Sequence, residues 1–117
     1  MADDELLVSR VVSRGSGIPG RALNQARTNH WVIDSSHEPE AVSTVESFLA
    51  GISACGVTLV DNLARSECTP LTGIEVTIEG ARAAQHTSAF KSIDLRFRLS
   101  GVNQARAEEL VGVYKER

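Results

Sequence analysis

The hydrophobic positions of this chain follow two different spacings, which divide it into extended and helical segments. Residues 5–13 are rich in β-branched and apolar side chains, a composition typical of strands. A second extended piece is predicted over residues 21–34, most clearly at His30-Trp-Val-Ile33. The glycine-rich residues 14–20 between them predict a turn. Residues 71–78 and 90–99 alternate apolar and polar side chains. We therefore expect two half-buried strands that pair antiparallel and turn one face to water.

The middle of the chain changes to helical spacing. Ser43 followed three positions later by Glu46 is the pattern of a capping box, which marks the start of a helix. Alanine and valine on the remaining faces make this helix apolar nearly all round, and such a helix is normally enclosed. We expect it to end near residues 65–67. Its apolar side chains recur at steps of three and four residues: Val45, Phe48, Leu49, Ile52, Cys55, Leu59 and Leu63.

A shorter helix follows the last predicted strand. Asn103 can cap it, and Leu110, Val111 and Tyr114 lie on its apolar stripe. Together the segments predict an α+β fold in the order β-β-α-β-β-α, with an antiparallel sheet around the buried central helix. A length of 117 residues fits one domain, residues 1–117.

Charge and composition narrow the range of partners. The chain has 15 acidic and 12 basic residues, and its basic residues form no cluster with aromatic side chains. We therefore expect neither nucleic acid nor a membrane as a partner. The longest apolar stretch, residues 48–60, is shorter than the ~20 residues that span a bilayer. The acidic start is unlike a secretory signal, and the two cysteines suggest free thiols in the cytoplasm.

Two patterns resemble cofactor or metal sites only superficially. Gly15-Ser-Gly-Ile-Pro-Gly20 matches G-x-G-x-x-G, but a dinucleotide site needs this motif to open a helix. Here Pro19 interrupts the motif and an extended segment follows it, which favours a turn. The three histidines are dispersed at spacings unlike those of structural zinc sites. We expect neither a cofactor nor a metal.

Cys55 is the most informative residue of the chain for possible chemistry. It lies on the apolar stripe of the central helix between Ile52 and Leu59. Free cysteine is among the most buried residue types, so position alone leaves two interpretations open, a small core side chain or a reactive thiol. Cys68 lies in a polar segment at the end of the helix, where we expect an exposed thiol.

The helix segment Glu46-Ser-Phe-Leu-Ala-Gly-Ile-Ser-Ala-Cys55-Gly resembles the cysteine helix of the OsmC/Ohr family (osmotically inducible protein C and organic hydroperoxide resistance protein). The resemblance continues through the strands at 71–80 and 90–101 and the final helix. It implies an intertwined homodimer whose central helices pack together inside wrapping sheets. It also implies reduction of hydroperoxides by a cysteine thiolate, which becomes a sulfenic acid and then a disulfide that an external thiol reductant restores.

The same resemblance implies roles for individual residues. Cys55 matches the cysteine that reacts with peroxide. Arg21 best matches the arginine that stabilises the thiolate, with Arg14 a close rival. The family's glutamate register falls on Val45, one residue before Glu46, which leaves Glu46 either a catalytic residue or only a helix cap.

The family also implies a second cysteine just after the final helix. The sequence given ends at Arg117, where that segment would begin, so we expect a domain that lacks it. Cys68 follows Cys55 by 13 residues. Along a helix this is roughly 20 Å, whereas a disulfide needs Cα atoms within ~7 Å. Cys68 is therefore not expected to resolve Cys55 in the same subunit.

Two hypotheses of function follow. In the first, the chain is a thiol-dependent peroxidase with a role in oxidative stress, which reduces organic hydroperoxides because the apolar side chains around Cys55 suit weakly hydrated substrates. In the second, it is a non-catalytic dimeric domain of the same fold that binds a small apolar ligand.

Overall fold

The computed structural model describes residues 5–69 and 71–115, and within them two helices and five strands follow the order β-β-β-α-β-β-α. The predicted α+β class and the antiparallel pairing are confirmed. The chain divides into two compact units, residues 1–47 and 48–117. The elements are β1 (Val12–Gly15), β2 (Arg21–Ala26), β3 (Asn29–Asp34), α1 (Thr44–Ser66), β4 (Gly73–Ala81), β5 (Ser92–Ser100) and α2 (Gln104–Lys115).

The first unit contains a sheet of three antiparallel strands in the order β1-β2-β3. The sequence predicts one extended piece over residues 21–34, but the structure folds it into a hairpin whose two-residue turn is Arg27 and Thr28. Arg27 has a φ of 55°, the left-handed conformation that hairpin turns normally obtain from glycine or asparagine. Because neither residue type marks this turn, the predicted order lacks one strand.

The N-terminal strand is shorter than residues 5–13. β1 begins at Val12, which pairs with Gln25, and β2 ends one residue later at Ala26. Residues 5–10 therefore extend past the end of β2, where the hairpin turns away. In this overhang Leu6, Leu7 and Val8 are 82%, 95% and 83% exposed.

The second unit packs the β4–β5 pair against helical residues. The two strands pair over nine residues each, from Gly73 opposite Ser100 to Ala81 opposite Ser92. The core is small: Val60, Ala64 and Leu110 are fully buried, and Phe97 and Tyr114 are among the partly buried side chains around them. A Cβ atom at Gly56 would lie 3.2 Å from the Phe97 ring, so glycine there lets strand and helix approach closely.

Both ends of α1 are defined by hydrogen bonds. The predicted capping box is present, because Glu46 N–H donates to Ser43 Oγ at 3.1 Å and Ser43 N–H donates to Glu46 Oε1 at 2.8 Å. At the other end, Thr69 N–H donates to the Ala64 carbonyl at 2.8 Å and Cys68 N–H to the Arg65 carbonyl at 3.1 Å. These two bonds form a Schellman motif, with Cys68 in the left-handed conformation at φ 55°.

The sequence predicts that α1 is enclosed, but in the single chain only one stripe of the helix is buried. Gly56, Val60 and Ala64 are its buried residues, because the second unit's own strands and α2 cover that stripe alone. Only 17% of the residues in the most apolar 18-residue stretch of α1 are buried. By length and composition this helix could also cross a membrane, a test that the core helix of a soluble protein passes equally.

Candidate functional site

The structure places Cys55 on an exposed face of α1. Phe48, Gly51, Cys55 and Thr58 are all exposed and follow one another at steps of three and four residues, so they share one face of the helix. We call these four residues the cysteine stripe. The thiol is therefore open to solvent in the single chain and not part of the core formed by Val60 and its neighbours. This is the accessibility that a reaction of the thiol requires.

Aromatic side chains lie at the N-terminal end of the cysteine stripe. Phe48, two helical turns before Cys55, stacks on Phe90 with ring centroids 5.8 Å apart and remains 55% exposed. The guanidinium of Arg82 lies over the Phe90 ring, 6.0 Å from its centroid. Gly80 makes room for this arrangement, since a Cβ atom there would lie 2.5 Å from Phe90 Cε1.

Sequence reasoning identified Phe48 but missed Phe90 and Arg82 as its companions. Phe90 is the first residue of a predicted strand and Arg82 lies in a predicted polar loop, so no periodicity joins them to the helix. The sequence signal is Gly80, which lies just beyond the alternating residues 71–78 and which the structure includes in β4, where a glycine often marks a close approach by another group. The aromatic pair gives one end of the stripe an apolar wall.

Arg21, the first candidate for stabilising the thiolate, lies in the first unit and is engaged there. Its Nε donates to Asp34 Oδ2 at 2.7 Å, its Nη2 donates to the Glu38 carbonyl at 3.4 Å, and its Nη1 lies 3.9 Å from Glu40 Oε2. The side chain is 17% exposed. Arg14, the rival candidate, is exposed on β1 opposite Leu23. Of the two guanidinium groups, that of Arg21 already has its charge offset by carboxylates.

Asp34 is the centre of the network around Arg21. Its carboxylate is fully buried and accepts hydrogen bonds from the backbone N–H groups of Ser36 and Glu40, each at 2.9 Å. These donors and Arg21 fix the first residues of the segment between β3 and α1. The sequence alone did not indicate the network, because its two charged members lie 13 residues apart at the ends of neighbouring strands.

The surroundings hold the pKa of Asp34 well below its ordinary value of 3.8. The Ser36 hydroxyl beside the carboxylate contributes most, burial acts in the opposite direction, and the N–H groups of Glu40 and Ser36 and the Arg21 side chain also lower the pKa. Ser36 Oγ is itself buried without a regular hydrogen bond to any described residue. The N–H groups of Ser36 and Glu40 therefore stabilise the charged carboxylate through regular hydrogen bonds.

Glu46 is exposed at the start of α1, and its carboxylate accepts the Ser43 N–H. That contact is the capping role which the sequence pattern predicts. Its catalytic role remains a prediction. Within residues 5–69 and 71–115, no group of three or more histidine, cysteine, aspartate or glutamate side chains is arranged to hold a metal ion.

Comparison with known proteins gives a consistent answer about the fold. No protein-family model matches the sequence, and neither does any curated protein. Solved structures do match. An organic hydroperoxide resistance protein OsmC from Legionella pneumophila has a TM-score of 0.72 at 22% identity, over 95% of this chain and 84% of that one.

Two further structures agree. An OsmC like protein from Mycoplasma pneumoniae has a TM-score of 0.79 at 14% identity, over 97% of this chain and 83% of that one. The organic hydroperoxide resistance protein OhrB of Bacillus subtilis has a TM-score of 0.63 at 18% identity, over 94% and 84%. Identities this low establish architecture and not activity. The α+β arrangement described above is therefore the fold of the OsmC and Ohr proteins.

Proposed function

We propose that this chain is a thiol-dependent peroxidase that reduces organic hydroperoxides in the cytoplasm as part of an oxidative stress response. The observation that carries the proposal is the exposed Cys55 thiol on α1, in a fold shared with proteins described as organic hydroperoxide resistance proteins. The apolar side chains of Phe48 and Phe90 beside the same helix suit a substrate with a hydrocarbon group.

The reaction needs only the thiol and the peroxide. The Cys55 thiolate attacks one oxygen of the O–O bond, a sulfur–oxygen bond forms, and the other oxygen leaves as an alkoxide that takes a proton to become the alcohol. The cysteine is oxidised to sulfenic acid, and the hydroperoxide is reduced. A thiol then displaces water from the sulfenic acid to form a disulfide, and a second thiol reduces the disulfide.

Those thiols come from an external reductant in this proposal. Cys68 is the other cysteine of the chain and lies at the far end of the same helix, 13 residues on, which is roughly 20 Å of helical rise. A disulfide needs Cα atoms within ~7 Å. Cys68 is therefore not the partner of Cys55 within one chain, and a thiol compound or thiol protein completes the cycle.

We assign stabilisation of the thiolate to Arg21, with Arg14 as its rival. Positioning of the peroxide is assigned to Glu46. Alkylation of Cys55 as a function of pH separates the arginines, because loss of the cation that stabilises the thiolate shifts the alkylation profile to higher pH. Arg14→Ala and Arg21→Ala are compared in proteins whose folding is checked by circular dichroism. If neither variant moves the profile, both arginine assignments are wrong.

The functional unit in this proposal is a homodimer. Its support is the large exposed part of α1, since an apolar helix with one buried stripe leaves surface that a second copy can cover. Sedimentation equilibrium at micromolar concentration measures this directly. A chain that stays monomeric there contradicts the homodimer without bearing on the thiol chemistry.

The decisive experiment is intact-protein mass spectrometry after a brief pulse of cumene hydroperoxide in the presence of a sulfenic-acid trap. We expect one trap adduct per chain, which Cys55→Ser abolishes. Cys68→Ser is the matched control, because Cys68 is also an exposed free thiol, and this variant should keep the adduct. Equal adducts at both cysteines would mean unselective oxidation and would contradict the assignment.

The alternative, a non-catalytic dimeric domain that binds a small apolar ligand, has one observation in its favour. The Glu46 carboxylate and the Arg21 guanidinium both already have structural partners, in the capping box and in the ion pair with Asp34. A wild-type mass that stays unchanged after the peroxide pulse would favour this second function, and binding of a fluorescent fatty acid would then test it.

A further inference from the structure

A groove in the first unit carries positive charge alone. It has a volume of about 680 Å³ and lies between residues 8–14 and the end of the β2–β3 hairpin at residues 25–27. Its charged side chains are those of Arg10, Arg14 and Arg27, and no acidic side chain lines it among the described residues. The chain as a whole has 15 acidic and 12 basic residues, so the charge of this groove is opposite to that of the molecule.

The three guanidinium groups of the groove differ from those of arginines elsewhere in the chain. Within residues 5–69 and 71–115, the arginine ion pairs are those of Arg21, Arg65 and Arg106, each with at least one carboxylate. The arginines of the groove take part in none of them, and all three are exposed. Cations that share one groove repel one another, so a bound anion would stabilise the arrangement as well as being attracted to it.

The backbone at Arg27 is an independent indication that its side chain has a use. Arg27 is the first of the two residues in the β2–β3 turn and has a φ of 55°. Glycine or asparagine adopts this left-handed conformation at lower cost. An exposed arginine gains no burial in return. A residue held in an unfavourable conformation is more typical of a functional site than of an ordinary turn.

The chemistry of the groove suits phosphate groups. A guanidinium is planar and donates two parallel hydrogen bonds to a phosphate, which makes arginine the preferred residue for this anion. Each phosphate carries roughly 1.5 to 2 negative charges, so two of them balance three arginines. The volume lies within the range of small-molecule sites, roughly 300–1,000 Å³. Apolar side chains complete the lining and suit an organic portion of the ligand: Val8, Val11, Val12 and Ala26.

From these observations we infer that the groove between residues 8–14 and the β2–β3 turn binds a small soluble anion with two phosphate groups, which Arg10, Arg14 and Arg27 hold. This site is additional to the proposed peroxidase and does not depend on any reaction at Cys55. Arg14 is also a candidate for stabilising the thiolate, so the tests use Arg10 and Arg27, which have no part in the proposed reaction.

Isothermal titration of the full chain with inorganic pyrophosphate at low ionic strength is the first test. We expect one site per chain, weakened by about tenfold in Arg10→Gln and in Arg27→Asn, because each loses a charge-assisted contact. Arg65→Gln is the matched control, since Arg65 is 67% exposed on α1, outside the groove, and this variant should bind like wild type. Wild type that binds no pyrophosphate overturns the inference, and so do equal losses in all three variants.

Arg27→Asn also separates binding from folding. Asparagine tolerates the left-handed conformation, so the melting temperature by circular dichroism should equal or exceed that of wild type while the affinity for pyrophosphate falls. Arg27→Lys keeps the charge but loses the paired hydrogen bonds, and its affinity should lie between those of wild type and Arg27→Asn. Wild-type affinity in Arg27→Asn would remove Arg27 from the site and overturn the inference.

Two further titrations distinguish the proposed ligand from general electrostatic attraction. Pyrophosphate should raise the melting temperature of wild type more than sodium chloride at the same ionic strength does. Equal shifts would mean screening without a site and would overturn the inference. Vesicles of phosphatidylglycerol carry phosphate on a surface, and we expect the chain to stay in the supernatant when they are sedimented. Cosedimentation without pyrophosphate binding would overturn the small ligand in favour of a membrane surface.

Discussion

Arg21 and Asp34 are cross-strand partners at the ends of β2 and β3, and their side chains form an ion pair with an Nε–Oδ2 distance of 2.7 Å. Asp34 is fully buried and also accepts the N–H groups of Ser36 and Glu40. The pair therefore ties the sheet of the first unit to the segment that leads into α1. The charges of this pair stabilise local structure, and this role of Arg21 is separate from any role at a reactive site.

Loss of Arg21 should therefore destabilise the protein. Arg21→Ala leaves a buried carboxylate without its cation, and removal of one partner from a buried pair is strongly destabilising. We expect the melting temperature to fall by several degrees, measured by circular dichroism. Glu40→Gln is the control: Glu40 is 79% exposed and 3.9 Å from Arg21 Nη1, so this change should cost less than about 1 kcal/mol. Equal effects of the two changes would contradict the buried network.

Stability should fall in acid because of Asp34. Its pKa is lowered in the folded protein, so as pH decreases through the ordinary value of 3.8 the unfolded chain binds this proton first and unfolding becomes easier. The contribution is fully present above about pH 5 and is lost progressively as pH falls toward the folded-state value. Urea unfolding at several pH values should show a steeper loss for wild type than for Asp34→Asn. Parallel curves would show that another carboxylate dominates.

Gly80→Ala should destabilise the second unit by about 1–3 kcal/mol, because its Cβ atom would lie 2.5 Å from Phe90 Cε1 and 3.2 Å from Leu49 Cδ2. Combination with Phe90→Leu should recover part of the loss in a double-mutant cycle. Gly51→Ala is the matched control, since nothing lies within 4 Å of the added atom. In the exposed helix it should stabilise by about 0.5–1 kcal/mol. Additive effects of Gly80→Ala and Phe90→Leu would contradict the close contact.

The capping box separates the two roles of Glu46. Ser43→Ala should cost about 0.5–2 kcal/mol, since Glu46 N–H loses its acceptor. Glu46→Gln keeps an oxygen for the Ser43 N–H and should leave the urea midpoint nearly unchanged. If Glu46 also acts on the peroxide, the glutamine variant should form the Cys55 trap adduct more slowly at unchanged stability. Wild-type adduct rates would leave Glu46 as a cap alone.

Cys68→Gly should stabilise the end of α1 by about 0.5–1 kcal/mol, because Cys68 has a φ of 55° at the position where a Schellman motif favours glycine. Cys68→Val should destabilise it, since a β-branched side chain tolerates this conformation poorly. Thermal unfolding of the two variants should therefore move in opposite directions. Shifts in the same direction would argue against the left-handed cap.

The sequence was most informative where local chemistry decides the structure. The capping box at Ser43 and Glu46 marks the start of α1, and the alternating pattern from Ile74 to Ile78 marks β4. Asn103 caps α2 as predicted, with its Oδ1 accepting the Arg106 N–H at 2.8 Å. Each of these features depends on residues within a few positions of one another, which is the range over which spacing carries information.

The features that the sequence did not reveal depend on contacts between distant residues or on an unusual backbone. Arg27 occupies a hairpin position normally marked by glycine, and the Arg21–Asp34 pair forms only after that hairpin folds. The exposure of Cys55 was also not foreseeable, because an all-apolar helix gives no sign of which faces its own chain covers. For the candidate site, sequence supplied the thiol, and the structure supplied its accessibility and its aromatic neighbours Phe48 and Phe90.

The single buried stripe of α1 also affects the newly synthesised chain before it associates with another copy. A freshly synthesised copy carries a helix of 23 residues whose most apolar stretch is 17% buried, together with the exposed run Leu6-Leu7-Val8. Surfaces of this kind are what chaperones bind and what drives aggregation of isolated chains. The yield of folded protein should therefore depend on the rate of synthesis as much as on the stability of the folded chain, with slower expression at lower temperature favouring soluble material.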